Sequence, residues 1–324
     1  MRKSDYMNVF NGFGLDTCKI SEESIYEFAP VFLYQDDSKK AVIKRTKKPP
    51  INRAESLFNW ARYLANNGTG IVIPDNRFHR NYLELEDEVW VIYPFVEGNK
   101  YCGKTDEIIK AGELLGKIHK YESDKDFGLT SFSIEGFYDD DIEEEIDEDF
   151  EEISKFYKDV RILNHITKWK ESASTFFKEK FHHLSKADLP YCNGVWDYKA
   201  NNLIYCDNSL PFLIDPDNAG RIHRLFDLAL TLLLFHNEME SAPSRVFTVE
   251  EWKIFLKGYS KYVELTENEK LVWQDYLEMV YYDEAVWLIR NDLEISISEP
   301  EKISPKQKRF IEDLLMFDKG KYTL

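Results

Sequence analysis

Two apolar runs bracket a short polar loop near residue 200, and that arrangement constrains this chain more than any other feature. Trp196-Asp197-Tyr198-Lys199-Ala200-Asn201-Asn202 leads into Leu203-Ile204-Tyr205, then a turn, then Phe212-Leu213-Ile214-Asp215-Pro216-Asp217. Short apolar runs bounded by turn residues read as buried strands. The pattern therefore places Asp197, Lys199 and Asn202 on a loop between buried segments and delivers Asp215 to the exit of a strand. A D-x-K-x-x-N loop followed by an apolar strand ending in Asp is a specific signal, whereas any one of these residues alone would read as a turn or capping residue.

Composition narrows the partners. At 324 residues the chain is long enough for two domains or one large bilobed unit, and 43% hydrophobic with 15% aromatic content describes a folded protein. A net charge of −17 argues against nucleic acid or an anionic membrane surface as the main partner. Cys18, Cys102, Cys192 and Cys206 form no C-x-x-C pair and no metal-site spacing, and are expected to be reduced and mostly buried. Met1 to Tyr6 is polar with no apolar segment behind it, and Leu225–Phe235 is too short to span a bilayer. A cytoplasmic protein is expected.

The first hundred residues alternate strand-like and turn-like segments around one helix. Ile25–Tyr34 and Ala41–Lys44 flank Asp36-Asp37-Ser38 as a hairpin. Asn52 with Glu55 predicts the start of a helix whose apolar face is Ala54, Leu57, Phe58, Ala61 and Leu64, ending before Gly68. Ile71–Ile73, Tyr82–Leu85 and Val89–Phe95 supply further strands. From Thr105 onward the pattern turns helical: Thr105–Tyr121 has acids in its first turn and lysines in its last. Residues 139–159 read as a solvated acidic helix with Ile142, Ile146, Phe150 and Ile153 as its stripe, or as an acidic wall facing a substrate. Thr248 with Glu251, and Thr266 with Glu269, are capping boxes, and Ser304-Pro305 with Gln307 opens a last helix. The expected class is α+β and bilobal, with a small mainly-β lobe over residues 1–97 and a large mainly helical lobe over 98–324.

Several segments, in order, resemble the aminoglycoside phosphotransferase and choline kinase group of small-molecule kinases, which share the protein-kinase-like fold. Ala41-Val42-Ile43-Lys44 looks like the strand carrying the phosphate-binding lysine, and Glu55 matches the acid that pairs with it. Val91-Ile92-Tyr93-Pro94-Phe95-Val96-Glu97-Gly98 is similar to the hinge strand. Ala111–His119 looks like the first large-lobe helix, and Phe226-Asp227-Leu228-Ala229 matches the motif after the metal loop. The resemblance implies ATP and Mg2+ as cofactors, with Lys44, Glu55, Tyr93, Phe95 and Val96 binding nucleotide. It implies Asn202 and Asp215 as metal ligands, Asp197 handling the acceptor's proton and Lys199 facing the γ-phosphate. Asp217 reads as a turn residue or a further metal contact, and Asp227 as a brace accepting loop N–H groups.

The chain departs from the family pattern in two places. The usual His-Gly before the catalytic Asp is Val195-Trp196, and Ile25–Tyr34, where a glycine-rich phosphate loop would fall, contains no glycine. Phe226-Asp227 follows Asp215 too closely for an activation loop, so a small-molecule hydroxyl is the expected acceptor rather than a protein. The alternative is a kinase fold that has lost turnover and serves as a binding or scaffold protein. A hydrolase built on Asp197 and Asp215 would have only His223 nearby. The acids Asp275, Glu278, Asp283, Glu284, Asp292 and Glu294 interleave with Trp273, Tyr276, Tyr281, Tyr282 and Trp287 along one helix. Those side chains are candidates to line the site of a cationic acceptor, an amino sugar or amino alcohol, the other reading being surface acids and core aromatics.

Overall fold

The computed structural model describes residues 1–26, 29–46, 51–85, 87–120, 125–134, 142–206 and 210–324. The chain forms two compact units and passes between them more than once. One comprises Met1–Asn99, Asp124–Thr130 and Ile204–Ala219, the other Lys100–Ser123, Ser131–Leu203 and Gly220–Leu324.

In the first unit, helix α1 (Met7–Phe13) precedes strands β1 (Val31–Gln35) and β2 (Lys40–Arg45), helix α2 (Ile51–Asn66), and strands β3 (Tyr82–Leu85) and β4 (Glu88–Pro94). The strands form one antiparallel sheet in the order β1-β2-β4-β3. Ala41 and Ile43 of β2 and Trp90 and Ile92 of β4 point to a core shared with Phe32 and with Val9, Phe10 and Phe13 of α1. By the alternation of a strand, Val42, Lys44, Val91 and Tyr93 occupy the opposite face, with Val42 opposite Tyr93 and Lys44 opposite Val91.

The small lobe thus carries a helix beyond the one expected. Met7–Phe13 spans under two turns, with Asn8, Asn11 and Gly12 diluting its apolar pattern, and it stops at Gly14 in the left-handed region. The first hairpin strand begins at Val31, not Ile25. Pro30 has no N–H to give a ladder, and the Ser24 hydroxyl instead accepts the Val31 N–H at 3.0 Å. Asn52 lies inside α2 rather than capping it, its Oδ1 taking the Arg53 N–H at 2.9 Å. Of Ile71–Ile73, only Ile71 pairs, through a parallel bridge to Leu213 that fixes the strand leading to Asp215.

The second unit is mainly helical. Its elements are α3 (Thr105–Lys120), α4 (Ile142–Ser154), α5 (Val160–Thr175), α6 (Phe181–Ser185), strands β5 (Tyr191–Gly194) and β6 (Gly220–His223), α7 (Arg224–Leu234), α8 (Val249–Tyr259), α9 (Glu267–Val280), α10 (Val286–Ser298) and α11 (Pro305–Leu315). Helices α3 and α8 cross backbone to backbone: a Cβ on Gly112 would lie 2.0 Å from the Phe255 carbonyl oxygen, which explains the glycine there. Both predicted capping boxes close, Thr248 with Glu251 and Thr266 with Glu269. Glu269 also takes a bidentate bond from buried Arg224, tying the start of α7 to that of α9.

Helix α4 buries Ile146, Phe150 and Ile153. Its acids meet surface cations, Asp147 and Glu151 with Lys170 and Glu143 with Lys178, so this is a solvated helix with an apolar stripe. Residues 139–141 of the acidic run lie outside the described residues. No helix among the described residues is long and apolar enough to cross a membrane.

Candidate active site

In the first unit the sheet face carrying Lys44 forms a charged centre. Lys44 donates to Asp215 at 2.7 Å and lies 3.1 Å from Asp217. Burial by itself would lower the Lys44 ammonium's pKa, but Asp217 and Asp215 outweigh it and hold it raised. The cation is therefore fixed at neutral pH. Asp217, read from sequence as a turn residue or a metal contact, is 2% exposed at its side chain, whereas Asp215 is 41% exposed. Tyr93 is buried on the same face, and its hydroxyl has no hydrogen-bond partner among the described residues. Burial, then Asp217 and Asp215, pushes that hydroxyl well above the ordinary tyrosine range.

Lys44 does not pair with Glu55. Glu55 sits on the exposed side of α2, where it accepts from the Tyr82 hydroxyl at 3.1 Å, and two carboxylates far down the chain hold the lysine instead. Phe95 and Val96 follow β4, both half-buried, and the Lys40 ammonium lies 3.7 Å from the centre of the Phe95 ring.

We expect Lys44→Ala to raise the KM for ATP about tenfold and Glu55→Ala to leave it unchanged. A double-mutant cycle on nucleotide affinity should show about 0.5–3 kcal/mol of coupling between Lys44 and Asp217 and additivity between Lys44 and Glu55.

In the second unit, the loop after β5 holds Asp197, Lys199 and Asn202 together. The Asn202 side-chain amide donates to the Asp197 carbonyl at 3.0 Å and to its carboxylate at 3.2 Å, directing the Asn202 Oδ1 the opposite way. Lys199 lies 3.3 Å from the Asp197 carboxylate. The loop hangs from Asp227, which is wholly buried and accepts the N–H groups of Val195 and Trp196 at 2.7 Å each. His119, at the end of α3, completes this brace: its Nε2 lies 3.0 Å from Asp227 and its Nδ1 2.9 Å from the Tyr259 hydroxyl. A carboxylate accepts, so the His119 Nε2–H donates to Asp227. Gly194 leaves room for the brace, since a Cβ there would fall 2.6 Å from the Asp227 Oδ2.

Trp196 adopts a φ of 61°, the left-handed region that glycine occupies without strain. A conformation this uncommon for a bulky residue persists only where its surroundings hold it. The indole packs edge-on against Phe132 and Phe226, with centroids 5.4 and 5.3 Å apart, and it hydrogen-bonds the Glu284 carboxylate. The tryptophan that stands where the family pattern has glycine thus keeps a left-handed backbone, a conformation that nothing in the one-letter code marks.

Glu284 and Asp283 sit on a π-helical turn, Tyr281–Ala285, that joins α9 to α10. Burial raises the Glu284 carboxyl, the Trp196 bond opposes this, and the Asp197 charge adds to it. Burial and then the Glu284 charge push Asp283 up to about 7 from its ordinary 3.8. The remaining acids and aromatics on this helix serve the fold. Glu278 is buried against Lys180 and Lys319. Asp275 meets Lys180, Glu294 meets Arg290, and Asp292 accepts from Gln307. Trp273, Tyr276, Tyr281 and Tyr282 are core, and Trp287 faces solvent. His223 is buried between Tyr191 and Tyr276 and pushed down to about 4 by burial, which makes it a neutral packing residue.

A small sheet lobe with a fixed lysine, a helical unit with a braced D-x-K-x-x-N loop, and a short apolar strand, Phe212–Leu213, that leads to Asp215 define a protein-kinase-like phosphotransferase. The model of the phosphotransferase enzyme family (APH) matches residues 24–262, and the chain belongs to that family, whose members transfer phosphate to hydroxyls of small molecules. Among solved structures it is similar to an amicoumacin kinase in complex with AMP-PNP and Ca2+, at 17% identity and a TM-score of 0.62 over 98% of this chain and 96% of that one. It is also similar to a microcompartment-associated aminopropanol kinase, at 12% and 0.59 over 91% and 97%. A choline kinase from Streptococcus pneumoniae aligns at 15% and 0.53 over 97% and 99%. No curated protein sequence matches the chain.

Proposed function

We propose that this protein is an ATP- and Mg2+-dependent kinase that phosphorylates a hydroxyl of a small cationic molecule, an amino sugar or amino alcohol. The observation that carries the reading is the braced loop, in which Asp197 is fixed by Asn202, Lys199 and the Asp227 carboxylate behind it. Asp197 orients the acceptor hydroxyl and takes its proton as the new oxygen–phosphorus bond forms and the bond to the departing ADP oxygen breaks. Lys199 meets charge on the transferred group, and Lys44 holds the phosphates of the leaving nucleotide. Tyr93, Phe95 and Val96 line the nucleotide face.

Asp215 and the Oδ1 of Asn202 would hold Mg2+. Hard oxygens of this kind, one or two carboxylates supplemented by phosphate and water, are what Mg2+ takes. When bound, the ion would neutralise charge on the phosphates.

Glu284 and Asp283 support a cationic acceptor. Both are half-buried carboxylates, neither meets a basic side chain in an ion pair among the described residues, and Glu284 lies within electrostatic reach of Asp197. Lys199 offsets part of the Glu284 charge, and an ammonium group on the acceptor would supply the rest of the counter-charge. Two of the similar structures are an aminopropanol kinase and a choline kinase, enzymes named for amine-bearing alcohols. A screen of hydroxyl compounds for ADP release at low and high salt tests the class. Amine-bearing alcohols should be preferred and should lose efficiency as salt rises. Preference for neutral or anionic alcohols, with no salt effect, would remove Glu284 and Asp283 from recognition.

The raised Asp283 carboxyl adds a pH signature. Between 3.8 and about 7 the folded protein holds a proton that the unfolded chain has released, so stability falls as pH rises through that window. Asp283→Asn should abolish this fall. It should also flatten the decrease in KM for an amine acceptor expected in the parent protein as Asp283 ionises above about 7.

A further inference from the structure

Lys199 has a second carboxylate partner besides Asp197. Glu238, in the turn after α7, places Oε1 and Oε2 each 3.1 Å from the Lys199 ammonium, which is only 16% exposed at its side chain. The lysine is therefore bracketed by Asp197 on one side and Glu238 on the other. Like Trp196, Glu238 holds a left-handed backbone, with φ at 61°.

The residues flanking Glu238 show what keeps it there. Just before it, the Asn237 Oδ1 accepts from the Gln307 side-chain amide at 2.8 Å. Just after it, the Met239 carbonyl oxygen accepts from the Lys306 ammonium. Both donors lie in the first turn of α11, and Gln307 is itself anchored to Asp292 of α10 at 2.6 Å. Helix α11 thus grips the turn on both sides of Glu238. Glu238 is itself 35% exposed at its side chain, and this mount rather than burial keeps it beside Lys199.

We propose that Glu238 is a positioning residue for phosphoryl transfer, setting where the Lys199 ammonium sits beside Asp197, with α11 setting where Glu238 sits. The proposal rests on the reading of Lys199 as the cation that meets the transferred phosphoryl group. A positioning role and a stabilising role make opposite demands at this backbone. Glycine at 238 relieves the left-handed strain while deleting the carboxylate, so it should preserve the fold and still slow the reaction.

The test is hydrolysis of Mg-ATP labelled at the γ-phosphate, with water as acceptor, in the full-length protein and in Lys199→Ala, Glu238→Gln, Glu238→Gly, Lys199→Ala/Glu238→Gln and Asp197→Asn. Glu238→Gln and Glu238→Gly should each lower kcat about tenfold with the KM for ATP within about twofold. The thermal midpoint of Glu238→Gly should be no lower than that of the parent. The double variant should be no slower than Lys199→Ala alone, because the two residues act as one unit. Parent-like kcat in both Glu238 variants, with Lys199→Ala slowed, would overturn the proposal and leave the functional reading standing. Losses that multiply in the double variant would overturn it too, since Glu238 would then act without Lys199. Parent-like hydrolysis in Lys199→Ala would remove both residues, and only if Asp197→Asn were also silent would the proposed function fall with them.

Discussion

Replacing Asp227 with alanine is expected to destabilise the helical unit by about 3–5 kcal/mol, the usual cost of removing one partner from a buried, hydrogen-bonded charged network. The magnitude follows from what the carboxylate holds. It accepts two backbone N–H groups and faces the His119 Nε2, and no atom of an alanine can replace those bonds. Each orphaned buried donor costs about 1–3 kcal/mol, so the loss is not confined to one contact. Because Val195 and Trp196 lead directly into Asp197, the variant should lose turnover at temperatures where it remains folded. Gly194→Ala should mimic it more weakly, since the added methyl would crowd Asp227 and Ile222 together. Urea unfolding followed by tryptophan fluorescence measures both. A midpoint for Asp227→Ala equal to the parent's would mean that the loop is held by something other than this brace.

The candidate site was legible where its residues are spaced within one segment. Asp197, Lys199 and Asn202 sit within six residues of chain, and the apolar runs around them force the segment into a loop. The role of Asp227 as a brace was legible for the same reason, since it opens a helix just after the metal-loop strand. The partner of Lys44 was not legible. Glu55 lies one helix away, but α2 turns it outward toward Tyr82, and the lysine is held by Asp217 and Asp215 from a distant part of the sequence. Helical spacing correctly grouped Trp273, Tyr276, Tyr281 and Tyr282 with the acids between them. It could not separate Glu278, buried against two lysines, from Glu284, which reaches the catalytic loop. That separation depends on the π turn at Tyr281–Ala285, where the side-chain period shifts. The left-handed backbones of Trp196 and Glu238 leave no trace in composition, because only tertiary contacts hold bulky or charged residues in that region.

Asp197→Asn carries the largest expected effect on chemistry. The substitution preserves volume, and the Asn202 amide still finds the residue 197 carbonyl, so the fold and nucleotide affinity should stay close to the parent's. What is lost is the proposed base: an amide oxygen can orient a hydroxyl but cannot take its proton. Turnover should fall by about 10²–10⁴-fold, the usual contribution of a positioned general base. The most direct measurement is ADP release from Mg-ATP by the purified protein across a panel of amine-bearing alcohols, run side by side with Asp197→Asn. The account predicts that at least one such alcohol stimulates ADP release and appears as its phosphate ester, and that the stimulation disappears in the variant. Equal stimulation in the parent and in Asp197→Asn would contradict it.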